Sequence, residues 1–327
     1  MREGGLQTLM TNATTALRRL WLTDAPLTAT GLAMFGLLGV TGVALLLDPR
    51  EIGGAPAWMK PAKFAASIGI YTLTLAWVFS YLPTWVRTRR LVSRITVATL
   101  VIEIVIIDLQ AWRGATSHFN VGTLLDGVLF TIMGAAIVVQ TFAAGAVAIA
   151  LWKEKHLQDR AMGWALRLGM TITFFGALTG GLMTQPTRAQ LEHARAGNRM
   201  TIAGAHTVGA PDGGPGLPGT GWSREHGDLR VAHFLGLHAL QVLPLIAFAF
   251  TLRRWPEALR VRLVVVTSLS YVALFGLLMW QALRGQSMTT PDAATLTALA
   301  IWIALTAAAI WIGAHRSNSA RVRAVVP

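Results

Sequence analysis

The sequence predicts an all-α polytopic membrane protein with eight transmembrane helices, built as two parallel four-helix repeats. Three observations carry this expectation. Hydrophobic residues make up 54% of the 327-residue chain and charged residues only 13%, the balance of a multi-span membrane protein. The apolar residues gather into eight stretches long enough to cross a bilayer core, which takes roughly 20 residues of helix. Short segments also recur. Gln110-Ala111-Trp112-Arg113-Gly114 returns 171 residues later as Gln281-Ala282-Leu283-Arg284-Gly285, and Ala62-Lys63-Phe64 returns after 170 as Ala232-His233-Phe234. Phe35-Gly36-Leu37-Leu38 returns after only 140 as Phe175-Gly176-Ala177-Leu178. Two nearly equal offsets point to a tandem duplication, and the shorter one to about 30 residues added to the second copy between 178 and 232.

Residues 1–26 form an amino-terminal segment in which Leu6, Leu9, Met10, Leu17, Leu20 and Trp21 fall near one helical face. That pattern fits a helix lying on the inner leaflet; a basic tail is the alternative. The first repeat covers 27–157, with spans expected at Leu27–Leu47, Lys63–Leu82, Ile95–Trp112 and Leu124–Trp152. The second covers 158–314, with spans at Ala161–Met183, Leu229–Leu252, Leu263–Leu283 and Thr295–Gly313, and residues 315–327 form a tail. Helix is the default because lipid leaves no partner for an unpaired backbone group, and no alternating strand pattern is present. An even number of spans per repeat makes both copies enter the membrane from the same side.

The net charge of +13 does not mark a nucleic-acid binder, because the basic residues sit in short loops between apolar runs. Arg87, Arg89, Arg90 and Arg94, then Lys153, Lys155 and Arg160, then Arg253, Arg254, Arg260 and Arg262, and finally Arg316, Arg321 and Arg323 fall on one side. The positive-inside rule then places both termini in the cytoplasm of a cell inner (plasma) membrane. The first apolar run lacks a small-residue cleavage site and reads as a retained span. With no cysteine in the chain, disulfides, iron–sulfur clusters and thiolate chemistry are excluded.

The copies differ most in the loop 184–228, expected on the outer side between the fifth and sixth spans. Its Gly and Pro residues, as in Pro211-Asp212-Gly213-Gly214-Pro215-Gly216, set turns rather than helix. A loop of this length is usually functional or disordered; an ordered lid carrying His206, Asp212 and Trp222 is the expectation.

Polar residues inside spans are costly and tend to face the protein interior or a wet cavity. On the sixth span Arg230, His233, His238 and Gln241 fall within about 140°, and on the second Lys63, Ser67, Tyr71 and Thr74 within about 80°. Two such stripes imply a shared outward-facing polar cavity, or helices joined by hydrogen bonds. Glu103 and Asp108 on the third span have Leu274 and Met279 as repeat counterparts. Either acid could relay protons, hold a cation or pair with a base, and Asp228 is a further acidic candidate. Gln110 with Arg113, and Gln281 with Arg284, lie three residues apart on one face; they could hold an anion at the cavity mouth, or Arg could merely favour a helix carboxy terminus. His118, His206, His233 and His238 on the outer side are candidate ligands for haem or a transition metal ion through neutral imidazole, although no tight ligand spacing accompanies them.

The four-plus-four parallel layout is similar to that of the haem A synthase family, which places haem-ligating histidines on the even-numbered spans of both copies. Here, among the even-numbered spans, only the sixth carries such histidines, so the resemblance stops at layout and no residue is carried over from it. Three functional readings remain open. One is a membrane oxidoreductase with haem or a metal ion. Another is a transporter of a small, anionic solute, with Lys63, Arg113, Arg230 and Arg284 binding it and Glu103 coupling protons. The third is a non-catalytic membrane subunit or assembly factor. In each the partners are the lipid bilayer and, for the first two, a small-molecule ligand at the outer face; no nucleic acid is expected.

Overall fold

The computed structural model describes the backbone of residues 3–323 and the side-chain surroundings of residues 13–315. The chain is mostly helical and divides into two compact units, Met1–Ala150 and Leu151–Pro327. Six segments are long and apolar enough to cross a membrane, and a bent helix pair can supply a seventh. All the expected stretches are helical, but the third, Ile95–Trp112, lies in a helix that is not among those six segments, and the sixth is the bent pair.

In the first unit α1 (Glu3–Thr23) leads through Asp24 into α2 (Ala25–Leu47). Asp24 ends one helix and starts the next because its carboxylate accepts from the Leu27 N–H at 3.0 Å, with Pro26 in the first turn. On α1, Leu17 and Trp21 are exposed; Leu6, Leu9 and Met10 lie outside the described side chains, as do Arg316, Arg321 and Arg323 of the tail. After α2 a hairpin pairs β1 (Glu51–Ile52) with β2 (Ala55–Pro56). Its two-residue turn is Gly53-Gly54, both at positive φ (60° and 77°), the backbone a tight hairpin turn needs. Then follow α3 (Met59–Phe79), α4 (Val86–Arg113) and α5 (Leu124–Lys153). A Cβ on Gly31 would come within 2.7 Å of Leu73; that glycine lets α2 and α3 approach closely. Met34, Ala65, Ile68, Leu100 and Ile104 form the core where α2, α3 and α4 meet.

The second unit runs α6 (Arg160–Leu178), α7 (Gly180–Met183), α8 (Arg188–Arg195), α9 (Leu229–Leu237), α10 (Ala239–Leu252), α11 (Glu257–Leu283) and α12 (Ala293–Arg323). Asp159 caps α6 through the N–H groups of Ala161 and Met162. Helices α9 and α10 meet at an angle of 49°. Pro244 lies inside α10, and the chain bends six residues before it, at His238. The bend sits where α6 presses in. A Cβ on Gly176 would stand 2.5 Å from the Gly236 backbone. Thr173 of α6 donates its hydroxyl to the Leu237 carbonyl (3.2 Å) and accepts from the Leu240 N–H (3.1 Å). Tyr71 has no such role, but Tyr271 of α11 donates to the Leu235 carbonyl at 2.6 Å. Backbone groups released by the bend thus find side-chain partners, which is what a broken helix requires away from water.

The loop 184–228 is hydrogen-bonded along its length. Thr187 and Gln190 form a reciprocal cap on α8, and Gln190 also ties down both backbone groups of Gly204. The loop is closed at its base by β3 (Thr207–Val208) against β4 (Gly227–Asp228). Asp212 accepts from the N–H of His206 and of Thr207 and from His206 Nδ1 at 2.7 Å. Burial pushes the Asp212 carboxyl up, but the ring bond and charge of His206 and these backbone donors outweigh it, and the carboxyl is held well below the usual carboxylate range.

Candidate functional site

The most buried acid described in the first unit lies beside a histidine, which in turn meets a lysine. Glu103, 2% exposed, sits in the middle of α4. His118 Nε2 stands 3.3 Å from Glu103 Oε1, while Glu103 Oε2 is buried with no hydrogen-bond partner. On the other side of the imidazole, Lys60 Nζ lies 2.8 Å and Ser117 Oγ 3.2 Å from Nδ1. An ammonium has only protons to give, so Lys60 donates to Nδ1, and a neutral ring then carries its own proton on Nε2, facing Glu103. Lys60, His118 and Glu103 form one line of groups able to pass a proton.

Local structure holds each member. Lys60 occupies the first turn of α3, and Phe64, one turn on, packs its ring against both Lys60 and His118. His118 lies in the loop that leaves α4 through Gly114 at φ 72°. The next residue, Phe119, also takes a left-handed backbone (φ 63°), which a bulky residue adopts only when its surroundings impose it. Its ring is 5% exposed and packs edge-on against Phe130. The strained turn therefore buries Phe119 and fixes the histidine before it.

A set of polar contacts at the end of α4 secures the same loop. Asp126 of α5 accepts from Gln110 Nε2 (2.9 Å), Arg113 Nη1 (2.9 Å) and Thr123 Oγ1 (2.6 Å). Gln110, fully buried, also reaches the Thr116 carbonyl and accepts from Arg113. The second Gln-Ala-x-Arg-Gly segment does the same in its own unit. Gln281 Nε2 donates to the Ser287 carbonyl at 2.9 Å, six residues on as in the first copy. Arg284 pairs with Asp292 ahead of α12 and covers the Trp280 ring, and Gly285 has φ 73°. Hydrogen bonds from Thr295 and from Arg284 hold the Asp292 carboxyl at about 2. Both arginines are engaged by aspartates within their own units.

The remaining sequence-derived candidates are spread more widely. Lys63 is exposed on α3; its neighbour by one turn, Lys60, is the lysine that meets His118. Asp108 lies half-buried on another face of α4, with Oδ1 lacking a hydrogen-bond partner. Asp228 caps α9, accepts from Ser223 N–H and pairs with Arg230, which also donates to the Gly221 carbonyl. His206 is held by Asp212. His233 Nδ1 donates to the Gly176 carbonyl at 2.8 Å. His238 sits at the bend with its ring 4.1 Å from that of Phe234, which carries Trp222 of the loop on its other contact, and Gln241 is half-buried on the following turn. Among the described residues, no group of three or more His, Asp or Glu is placed to hold a metal ion.

Lys60 was missed because the expected second span began at Lys63, whereas the helix begins at Met59; its contact with His118 is made by a loop. The signal present was Phe64, an aromatic one turn from a lysine. No family model matches the chain, and no curated protein or solved structure is significantly similar to it.

Proposed function

We propose that this chain is a multi-pass membrane protein that moves protons through its first unit, coupled to the passage of a small solute. The observation that carries the reading is the line from half-buried Lys60 and His118 to buried Glu103. Glu103 can take a proton from His118 Nε2 while the ring regains one at Nδ1 from the Lys60 side, so each turn of the relay takes in one proton and releases one. The bend at His238 adds support, since membrane transporters build solute sites from interrupted helices. The solute's charge is not read from Arg113, Arg230 or Arg284, because each already holds an aspartate.

The same reading takes α4 as a span and the bent α9–α10 pair as another, giving eight, with both termini cytoplasmic and the loop 184–228 outside. Two matched devices favour duplicated units. Asp24 and Asp159 cap α2 and α6, each the first apolar span expected in its unit, and bond to α4 and α11, each the third, through Ser93 and Arg260. Gln110 and Gln281 each close the exit from that third helix. A redox reading with haem or a metal ion at His118, His206, His233 and His238 has less support, because both ring nitrogens of His118 are already engaged. The test is proton flux into proteoliposomes holding a pH-sensitive dye under an imposed potential. Glu103→Gln should abolish the flux; flux equal to wild type in that variant overturns the proposal.

A further inference from the structure

The relay at Glu103 is one end of a longer polar face on α4. Thr96, Thr99, Glu103 and Gln110 fall within about 60° of one another around the helix, and they are 0%, 7%, 2% and 0% exposed. Ser93, one turn before Thr96 and 2% exposed, donates to Asp24 Oδ1 at 2.7 Å. Asp24 stands at the opposite end of α4 from His118. Between the two ends Gln140 of α5 accepts from Thr99 Oγ1 at 3.2 Å and donates to the Tyr71 hydroxyl at 3.2 Å. Polar groups from the cap of α2, from α3 and from α5 thus meet along the buried face of α4.

Thr96 shows that these groups do more than satisfy one another. A threonine inside a helix usually returns its hydroxyl to the carbonyl four residues back. Thr28, Thr41, Thr72 and Thr141 all do so here. The Thr96 hydroxyl does not, and it is buried without a hydrogen-bond partner. Glu103 Oε2, two turns along the same face, is in the same position. An unmet hydroxyl or carboxylate oxygen costs about 1–3 kcal/mol, and two on one polar face call for a small partner that both gives and accepts protons. Water meets that need.

We propose that water joins Thr96 to Glu103, completing a proton path along α4 from Lys60 and His118 to Ser93 and Asp24. This deepens the proton-moving reading and rests on it. A proton taken up at Glu103 Oε1 is turned by rotation of the neutral carboxyl toward the Oε2 side, passes to a water beside Thr99 and Gln140, and moves by Thr96 and Ser93 to Asp24, which releases it. The Glu103 carboxylate is then ready for the next proton from His118. No net charge stays on the chain. The second unit has no matching path, because Leu274 stands at the position of Glu103.

The experiment compares proton flux in proteoliposomes of Thr96→Val, Thr96→Ser, Ser93→Ala and Glu103→Gln, each checked for wild-type elution and thermal unfolding. Thr96→Val should lower flux at least about tenfold, Thr96→Ser should keep it, and Glu103→Gln should abolish it. Flux unchanged in both Thr96→Val and Ser93→Ala, with Glu103→Gln inactive, overturns the path and leaves the relay standing. Flux unchanged in Glu103→Gln, or absent from the wild type, overturns both. Should Thr96→Val fail to fold, Ser93→Ala decides between the same outcomes.

Discussion

Single side chains in this protein are fixed mainly by polar partners nearby in sequence, and that decided which of them could be read in advance. Glu103 and His118 stand out in the sequence as an acid within a span and a histidine beside one. Their meeting depends on the loop that turns at Gly114 and Phe119, and a left-handed phenylalanine has no sequence signature. Arg113 and Arg284 look like anion ligands until Asp126 and Asp292 are found beside them; each aspartate follows its arginine within one loop, 13 and 8 residues on, at the start of the next helix. Asp212 yields a prediction at this scale. Its folded pKa is depressed from an ordinary 3.8, so its stabilisation of the loop is full above that value and is lost as pH falls through the folded one. Protection factors for hydrogen exchange at residues 204–212 should therefore fall as pH drops below about 4, and Asp212→Asn should be weakly protected throughout. A wild-type loop whose protection stays constant over that range would show that Asp212 does not hold it.

Whole elements were easier to read than their irregularities. Eight apolar stretches became helices because lipid-length runs of Leu, Ile, Val and Ala have no other low-energy form in a membrane. The Gly53-Gly54 hairpin carried its signal openly, yet a four-residue ribbon is easily lost beside helices of more than 20 residues. The bend at His238 could not be placed from the chain alone, since it is made by Thr173 and Gly176 of another helix. That origin can be tested by thermal unfolding in detergent. Thr173→Val leaves the Leu240 N–H and the Leu237 carbonyl without their side-chain partner, which should cost about 1–3 kcal/mol. Gly176→Ala should cost about as much or more, because its Cβ meets backbone that cannot swing aside. Gly181→Ala, with nothing within 4 Å of its Cβ, should stay near wild type. Equal melting temperatures for the two alanine variants would show that close approach does not set the bend.

At the scale of the molecule, the sequence echo marks the matched devices of the two units more clearly than their differences. The cysteine-free chain makes its orientation directly measurable with single introduced thiols. Gly214→Cys, in open space within the loop, should react with an impermeant maleimide on intact cells, and Arg90→Cys, exposed ahead of the main apolar run of α4, only after lysis. The reverse pattern would invert the topology. The buried face of α4 has a further, electrical consequence. From Glu103 to Ser93 is ten residues of helix, about 15 Å of rise, or about half the hydrocarbon thickness of a bilayer. A proton travelling that stretch moves through about half of the membrane voltage, so 100 mV tilts the journey by about 1 kcal/mol. On the proposed path the membrane voltage would thereby bias the proton-moving half of the coupled cycle, in a direction set by the cell's own polarity.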